Sequence, residues 1–142
     1  IVHRLDKDTS GVMILAKHRL SASKISKLFL NNDIHKFYIA NTTNSFKNNS
    51  GKLVNTNEQN KMLKLLYRKI KFKKFPNTYL IKLLTGKKHQ IRLQFFLNKN
   101  PIIGDDKFSK KSKSDLMLSS VSINFMYENI FYKFKLDLNK IF

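Results

Sequence analysis

The chain has 142 residues, with 28 Lys+Arg against 9 Asp+Glu for a formal charge of +19, 42% hydrophobic residues and no cysteine. This length fits one domain with a core of ordinary size. The lack of cysteine excludes disulfides and thiolate metal sites, and no apolar run approaches the roughly 20 residues that span a bilayer. So cationic a protein binds polyanions, and nucleic acid is the first expectation, because phosphate contacts by Lys and Arg release counterions. A bias toward Lys, Asn, Ile and Phe adds to the charge independently of function. Arg4, Asp6, Lys7 and Asp8 interrupt any signal-like segment at the start, so cytosol or an organelle matrix is the expected compartment.

In chain order, a turn-like segment from His3 to Gly11 places Arg4 and Asp6 two residues apart and runs into apolar residues 12–16, expected as a buried strand. A loop held by a rigid element is a common seat for a reactive group. Residues 20–32 read as a helix with Ile25, Leu28 and Phe29 on one stripe and Ser21 as N-cap. Residues 36–40 are a strand, and 41–60, dense in Asn, Ser and Thr, a long exposed connection or ragged hairpin. Met62–Phe72 and 78–84 are two strands turned around Phe75, Pro76 and Asn77. Residues 85–88 break the pattern, and 89–98 resume it as a short helix with Ile91, Phe95 and Phe96 near helical spacing. Residues 101–108 form a compact turn around Gly104, followed by a basic exposed stretch at 110–113. Residues 121–125 and 130–136 close the chain as a hairpin about Tyr127, Glu128 and Asn129. Hairpin-joined strands outnumbering helices point to an α+β fold, a mostly antiparallel mixed sheet with flanking helices, in one domain without repeats.

Several motifs fall away. Gly86-Lys87 lacks the upstream glycine and the following Ser/Thr of a phosphate-binding loop. Gly104-Asp105-Asp106 has no third ligand nearby, which favours a turn or helix start over a metal site. His3, His18, His35 and His89 have no metal-ligand spacing. No Gly-x-Ser-x-Gly elbow exists, although a Ser-His-Asp triad assembled by the fold stays open. Two segments remain, His3 to Gly11 and Thr85 to Arg92, the second a basic turn opening a helix whose amide end suits phosphate. Pattern alone favours a plainer reading, with Asp6 as a turn cap, Arg92 as a solvated helix residue and Tyr38 as core.

The sequence resembles the RluA family of pseudouridine synthases, in the ribosomal large-subunit, RluC-like branch. The family signature H-R-L-D-x-x-T-S-G is matched by His3, Arg4, Leu5, Asp6, Thr9, Ser10 and Gly11. A second block, K-x-Y-x-A, is matched by Lys36, Tyr38 and Ala40. A third, T-G-R-x-H-Q-I-R followed by H-P-I-x-G-D, is matched by Thr85, Gly86, His89, Gln90, Ile91, Arg92, Pro101, Ile102, Gly104 and Asp105. The resemblance implies a pseudouridine synthase fold with a central RNA-binding cleft. It also implies a reaction, without metal or cofactor, that breaks the uridine N–C bond, turns the uracil and rejoins it through C5. Asp6 would be the catalytic carboxylate, as nucleophile or base. Arg92 would pair with it, favouring its charged form and holding its rotamer. Tyr38 would stack on a flipped base and Ile91 would pack against the pocket. Arg4 would fill the space the base leaves. Lys87, Lys88, His89, Gln90 and residues 110–113 would bind RNA, the lysines through phosphates.

Large-subunit ribosomal RNA is the expected substrate of a monomeric cytoplasmic enzyme, with transfer RNA or a non-catalytic RNA-binding role as alternatives. Lys87 replaces the usual Arg, Gln94 a usual His, and Ser119 stands where Leu-x-Leu-His-Ala is common, while 63–65 lack the small residue and threonine often found there. None removes a catalytic group. The first motif begins at residue 3, whereas the family places strands, a lysine-proline motif and often an S4 domain upstream. The expectation is therefore an N-terminally truncated catalytic domain over residues 1–142, poorly stable or inactive alone.

Overall fold

The computed structural model describes residues 1–72, 75–109 and 113–142. Its strands are β1 (Ser10–Gly11), β2 (His35–Asn41), β3 (Ser50–Thr56), β4 (Met62–Phe72), β5 (Phe75–Leu83), β6 (Leu118–Tyr127) and β7 (Ile130–Lys135). They form one sheet in the order β1-β6-β2-β5-β4-β3, with β7 also on β6. Among the described residues only β1 pairs in parallel; β3–β4, β4–β5 and β6–β7 are antiparallel hairpin neighbours, and β2 makes long-range antiparallel matches with β5 on one side and β6 on the other. Helices α1 (Arg19–Leu30) and α2 (Gln90–Leu97) complete the α+β fold.

The outer edge of β6 positions the site. Across β2, the register slips between Phe37, opposite Ser122, and Tyr38, opposite Ser120, so Val121 is an extra residue. Such a bulge bends its strand and re-aims side chains. On the other edge, β1 occupies Ser119 and Ser120, and β7 takes over from Ser122 to Tyr127. Glu128 and Asn129, at φ 50 and 63, make the tight turn between β6 and β7.

This division explains the first departure from expectation. Residues 12–16 are not a strand: the edge they would need is held by β7. They keep the alternation of one, with Val12, Ile14 and Ala16 packed toward Ile25, Ile123 and Phe125 while Met13 and Leu15 stay exposed. Three hydrogen bonds carry their backbone among the described residues: Val12 N–H donates to Ser120 O (2.8 Å), Val12 O accepts from Ser120 Oγ (3.1 Å), and Ile14 N–H donates to His3 Nε2 (2.8 Å).

Other departures are local. The N-cap of α1 is His18 rather than Ser21, whose hydroxyl instead exchanges hydrogen bonds with the His18 backbone from the third helical position. Within 41–60 the hairpin alternative holds. β3 pairs with β4 over seven residues, and Asn57 Oδ1 caps the connecting turn by accepting from Gln59 and Lys61 N–H. Phe75 already pairs with Phe72, so the expected turn residues 75–77 lie inside β5 beside a bulge, where Pro76 is tolerated. Residues 110–112 of the expected basic stretch lie outside the described residues; Lys113 is exposed.

Under α2, Tyr38, Ala40, Leu65, Tyr79, Ile81, Ile91, Phe95 and Leu118 form the main core. On the opposite side Ile39, Phe72, Val121 and Ile141 pack together, and α1 covers Ile34, Ile123 and Phe125. The site therefore rests on the rigid middle of the sheet.

His3 makes this arrangement sensitive to acid. Its ring stacks on Phe29 with centroids 4.5 Å apart. Burial first, then the charge of Lys36, lowers its pKa from an ordinary 6.5 to about 4. Accepting the Ile14 N–H requires an unprotonated Nε2. Because the folded pKa lies below the unfolded one, the latch contributes fully above about pH 6.5 and is lost as pH falls toward 4. The stability difference between the protein and His3→Leu, from urea unfolding, should shrink steadily between pH 7 and pH 4. A difference independent of pH would contradict this role.

Candidate active site

The first residues reach the sheet as a loop ending in β1. Leu5 packs on the main core, and Thr9 N–H donates to Asp6 O (2.9 Å), closing a tight turn with Asp at its favoured first position. Ser10 and Gly11 then pair with Ser119 and Ser120. Gly11 has φ 119, and a Cβ there would stand 2.1 Å from Ser120 O, so only glycine lets the loop lie this close. The result hangs the Asp6 carboxylate, partly exposed, at the rim of a cleft.

That cleft has a volume of about 510 Å³. Its walls come from the Asp6 loop, from Lys36 and Tyr38 of β2, from the end of α1 and from the turn leading into α2. Of the residues expected from sequence, Arg4, Asp6, Tyr38, Lys87, Lys88, His89, Gln90 and Ile91 all line it; Arg92 does not. Lys87, Lys88 and Arg4 are exposed, whereas Ile91 and Tyr38 are buried in its floor. Burial, with a smaller push from Asp6, raises the Tyr38 phenol to about 12 despite a hydrogen bond with Ser120. At neutral pH it therefore keeps its proton and serves as a ring and a donor, not as a base.

Arg92 departs from expectation. Its guanidinium is bidentate on Asp105, Nε to Oδ2 at 2.9 Å and Nη2 to Oδ1 at 2.6 Å, and not on Asp6. The reason is where the turn after α2 runs. Gly104, at φ 76, bends the chain so tightly that a Cβ would meet Asp115 O at 2.0 Å, and this brings Asp105 beneath the helix. Asp105 Oδ1 also accepts the N–H groups of Lys107 and Phe108, and the guanidinium carbon lies 5.7 Å from the Phe108 ring. Paired and bidentate, both charges are satisfied while buried. Arg92 still lies within the field of Asp6 and Asp8, which add to the upward shift dominated by Asp105.

Asp6 lies near His89 instead, Nε2 to Oδ1 at 3.8 Å, a contact that is ionic only when the imidazole is protonated. His89 has a left-handed backbone, φ 53, just before α2. Burial holds its pKa below the ordinary value although Asp6 opposes this, with Lys107, Arg92 and Lys88 pushing the same way as burial. Gln90 is also corrected. Its Oε1 accepts from Thr85 Oγ1 and Lys87 N–H, and its Nε2 donates to Lys64 O and Gln94 Oε1. All four hydrogen-bonding positions are used inside the protein, so its side chain ties the 85–87 turn to β4 rather than reaching for RNA. Gln94 extends the tie to Asn55 and Leu63 O.

The structure brings forward three groups that sequence reasoning placed outside the site: Asp105, read as part of a turn or helix start, and Thr9 and Lys36, which were given no role. Asp105 was visible as a motif match, but its burial and its choice of partner are tertiary. Thr9 Oγ1 is buried without a hydrogen-bond partner among the described residues, and it lines the cleft. Lys36 was detectable from the strand period, two residues before Tyr38 on the same face. Removing Asp105 should strand a buried guanidinium: Asp105→Ala is expected to destabilise the fold by about 3–5 kcal/mol in urea unfolding. A loss under ~1 kcal/mol would show that Arg92 has another partner.

A family model described as RNA pseudouridylate synthase matches residues 1–96. Among curated proteins, an uncharacterised RNA pseudouridine synthase of Mycoplasma capricolum is 36% identical over 87% of this chain and 47% of its own length. Ribosomal large subunit pseudouridine synthase C of Rickettsia prowazekii is 35% identical over 78% of this chain and 42% of its own. The protein of the same name in Buchnera aphidicola is 34% identical over 89% and 48%. The chain thus spans about half the length of the curated relatives it matches. Among solved structures, human RNA pseudouridylate synthase domain containing 1 superposes with a TM-score of 0.83 at 18% identity, covering 96% of this chain and 67% of that one. Human RNA pseudouridylate synthase domain containing 4 gives 0.79 at 21%, covering 98% and 71%. With the fold shared and the family model spanning most of the chain, this protein belongs to the RNA pseudouridylate synthase family.

Proposed function

We propose that this chain is a catalytic domain, residues 1–142, that isomerises uridine to pseudouridine in folded RNA, with large-subunit ribosomal RNA as the substrate. The observation that carries the reading is the cleft itself: Asp6 at the rim, Tyr38 and Ile91 in the floor, Lys87 and Lys88 outside. A base inside folded RNA must leave its stack to be reached. The floor offers it an aromatic face and an aliphatic one, and stacking on such a ring is worth ~1–3 kcal/mol. The net charge of +19 supports backbone binding without sequence readout. The relatives named for the ribosomal large subunit support that RNA over transfer RNA. The reading implies a monomer working in the cytoplasm.

The chemistry follows from the placement. A carboxylate beside the sugar of the flipped nucleotide acts there as nucleophile or base, while the cleft walls keep the detached ring from diffusing away. Arg92, held from behind by Asp105, fixes the first turn of α2 and contributes its positive field rather than a direct contact. Tyr38, protonated, keeps the base in register. Arg4 is exposed where the base leaves the helix.

Asp6→Asn is expected to abolish pseudouridine formation in large-subunit ribosomal RNA transcripts, at least ~10³-fold in single-turnover rate, while leaving RNA affinity within about twofold. Preserved turnover in that variant would remove Asp6 from the chemistry and with it this reading.

A further inference from the structure

One buried charged group in the cleft has no counter-charge among the described residues. Lys36 is only 8% exposed, and among the described residues no carboxylate lies within ion-pair distance of its ammonium. It lines the same cleft as Asp6 and Tyr38. Its Nζ lies 5.8 Å from the Phe29 ring centroid, an attraction that partly replaces lost hydration. On the cleft side it reaches the backbone of Gly86, where a Cβ would stand 2.8 Å from Nζ. Gly86 therefore leaves the ammonium uncovered by a side chain from the turn. Burying a cation without a partner is unfavourable, and burial lowers the Lys36 pKa accordingly. The partnerless hydroxyl of Thr9 lines the cleft as well. Both groups line the cleft with polar capacity that no described residue uses.

We infer that Lys36 is a further catalytic residue, whose ammonium stabilises the negative charge that develops on the uracil ring when its bond to the sugar breaks. The inference rests on the proposed isomerisation. In that reaction the N1–C1′ bond breaks and its electron pair leaves with the ring, spread over N1, O2 and O4. After the ring turns, a pair from C5 forms the new bond to C1′, the C5 proton departs and N1 regains a proton, so atoms and charge balance. A neutral uridine gains little from an ammonium nearby, whereas the detached anion gains much. The interaction is thus stronger in the transition state than in the ground state, as catalysis requires. Fixed charge in a water-poor site is effective because it needs no reorganisation when the bond breaks. The geometry of β2 delivers it, since Lys36 and Tyr38 are next-but-one neighbours on one strand face.

The test separates this charge from the overall reaction. Barbiturate, a uracil-shaped ring that is an anion at neutral pH, and neutral uracil are titrated into the intact chain and followed by NMR. The protein should bind barbiturate at least ~10-fold more tightly than uracil. Lys36→Met should reduce the ratio to about one, and Lys36→Arg should retain part of it. In single-turnover assays on uridine RNA, Lys36→Met should slow glycosidic cleavage by ~10²–10³-fold with RNA affinity unchanged. An undiminished preference for barbiturate in Lys36→Met overturns the inference. So does competition by inorganic phosphate at comparable affinity, which would assign the ammonium to the RNA backbone. Anion preference without turnover by the full-length protein would leave the uracilate site standing and sink the proposed isomerisation instead.

Discussion

The site depends on how the edge of one strand is shared. Ser119 and Ser120 are the two residues of β6 that accept β1, and the bulge at Val121 separates them from the stretch that accepts β7. Everything that places Asp6 follows. The loop is anchored at the near end of that edge, Gly11 lets it approach the β6 backbone, and Leu5 sinks into the main core while Asp6 stays at the rim. Beyond Val12 the edge is occupied, so the chain runs on unpaired and needs His3 to hold Ile14. The same residue that opens the first motif thus fastens the segment leaving it. A functional side chain has to sit within about half an ångström of its working position, and here a two-residue edge strand paired to β6 supplies that constraint.

Two buried cations give the cleft its electrostatic character, and they are handled in opposite ways. Arg92 is matched by Asp105, which is 1% exposed and uses further oxygen capacity on backbone N–H groups. That pair is complete before any ligand arrives and acts as a fixed strut under α2. Lys36 has no carboxylate partner among the described residues and lines the cleft. The many exposed lysines stay hydrated, and their attraction for a polyanion acts over distance with a strength that falls as salt rises. On the proposed reading, overall charge brings the RNA and the buried charges act at one nucleotide.

Much of this was legible in the sequence, and the failures have common causes. β2, β4, β5, α2 and the β6–β7 hairpin carried clear apolar periodicity or turn chemistry. β3 did not, because Leu53 is its one fully buried apolar side chain and its Asn and Thr residues read as loop. The first residues of β6 were missed because Ser119 and Ser120 are buried for the sake of a close β1 neighbour, not for hydrophobicity. Residues 12–16 were misread for the converse reason: the alternation is real, but pairing is a property of the edge available. The motifs brought Asp6, Tyr38 and Ile91 to one cleft as expected. The partner of Arg92 was not legible, since two aspartates compete for it and only the turn at Gly104 decides. Gln90 showed the same limit, because its saturation depends on Lys64 and Thr85 arriving from β4 and the end of β5.

The central claim is that a uracil ring enters the cleft between the Asp6 loop and Tyr38. It is tested most directly by a co-crystal structure with a large-subunit ribosomal RNA fragment in which 5-fluorouridine replaces uridine. The account predicts one flipped ring stacked on Tyr38 against Ile91, with the Asp6 carboxylate at its sugar and Lys36 Nζ at a ring oxygen. RNA bound along the exposed lysines with every base still stacked, and the cleft unfilled, would contradict it.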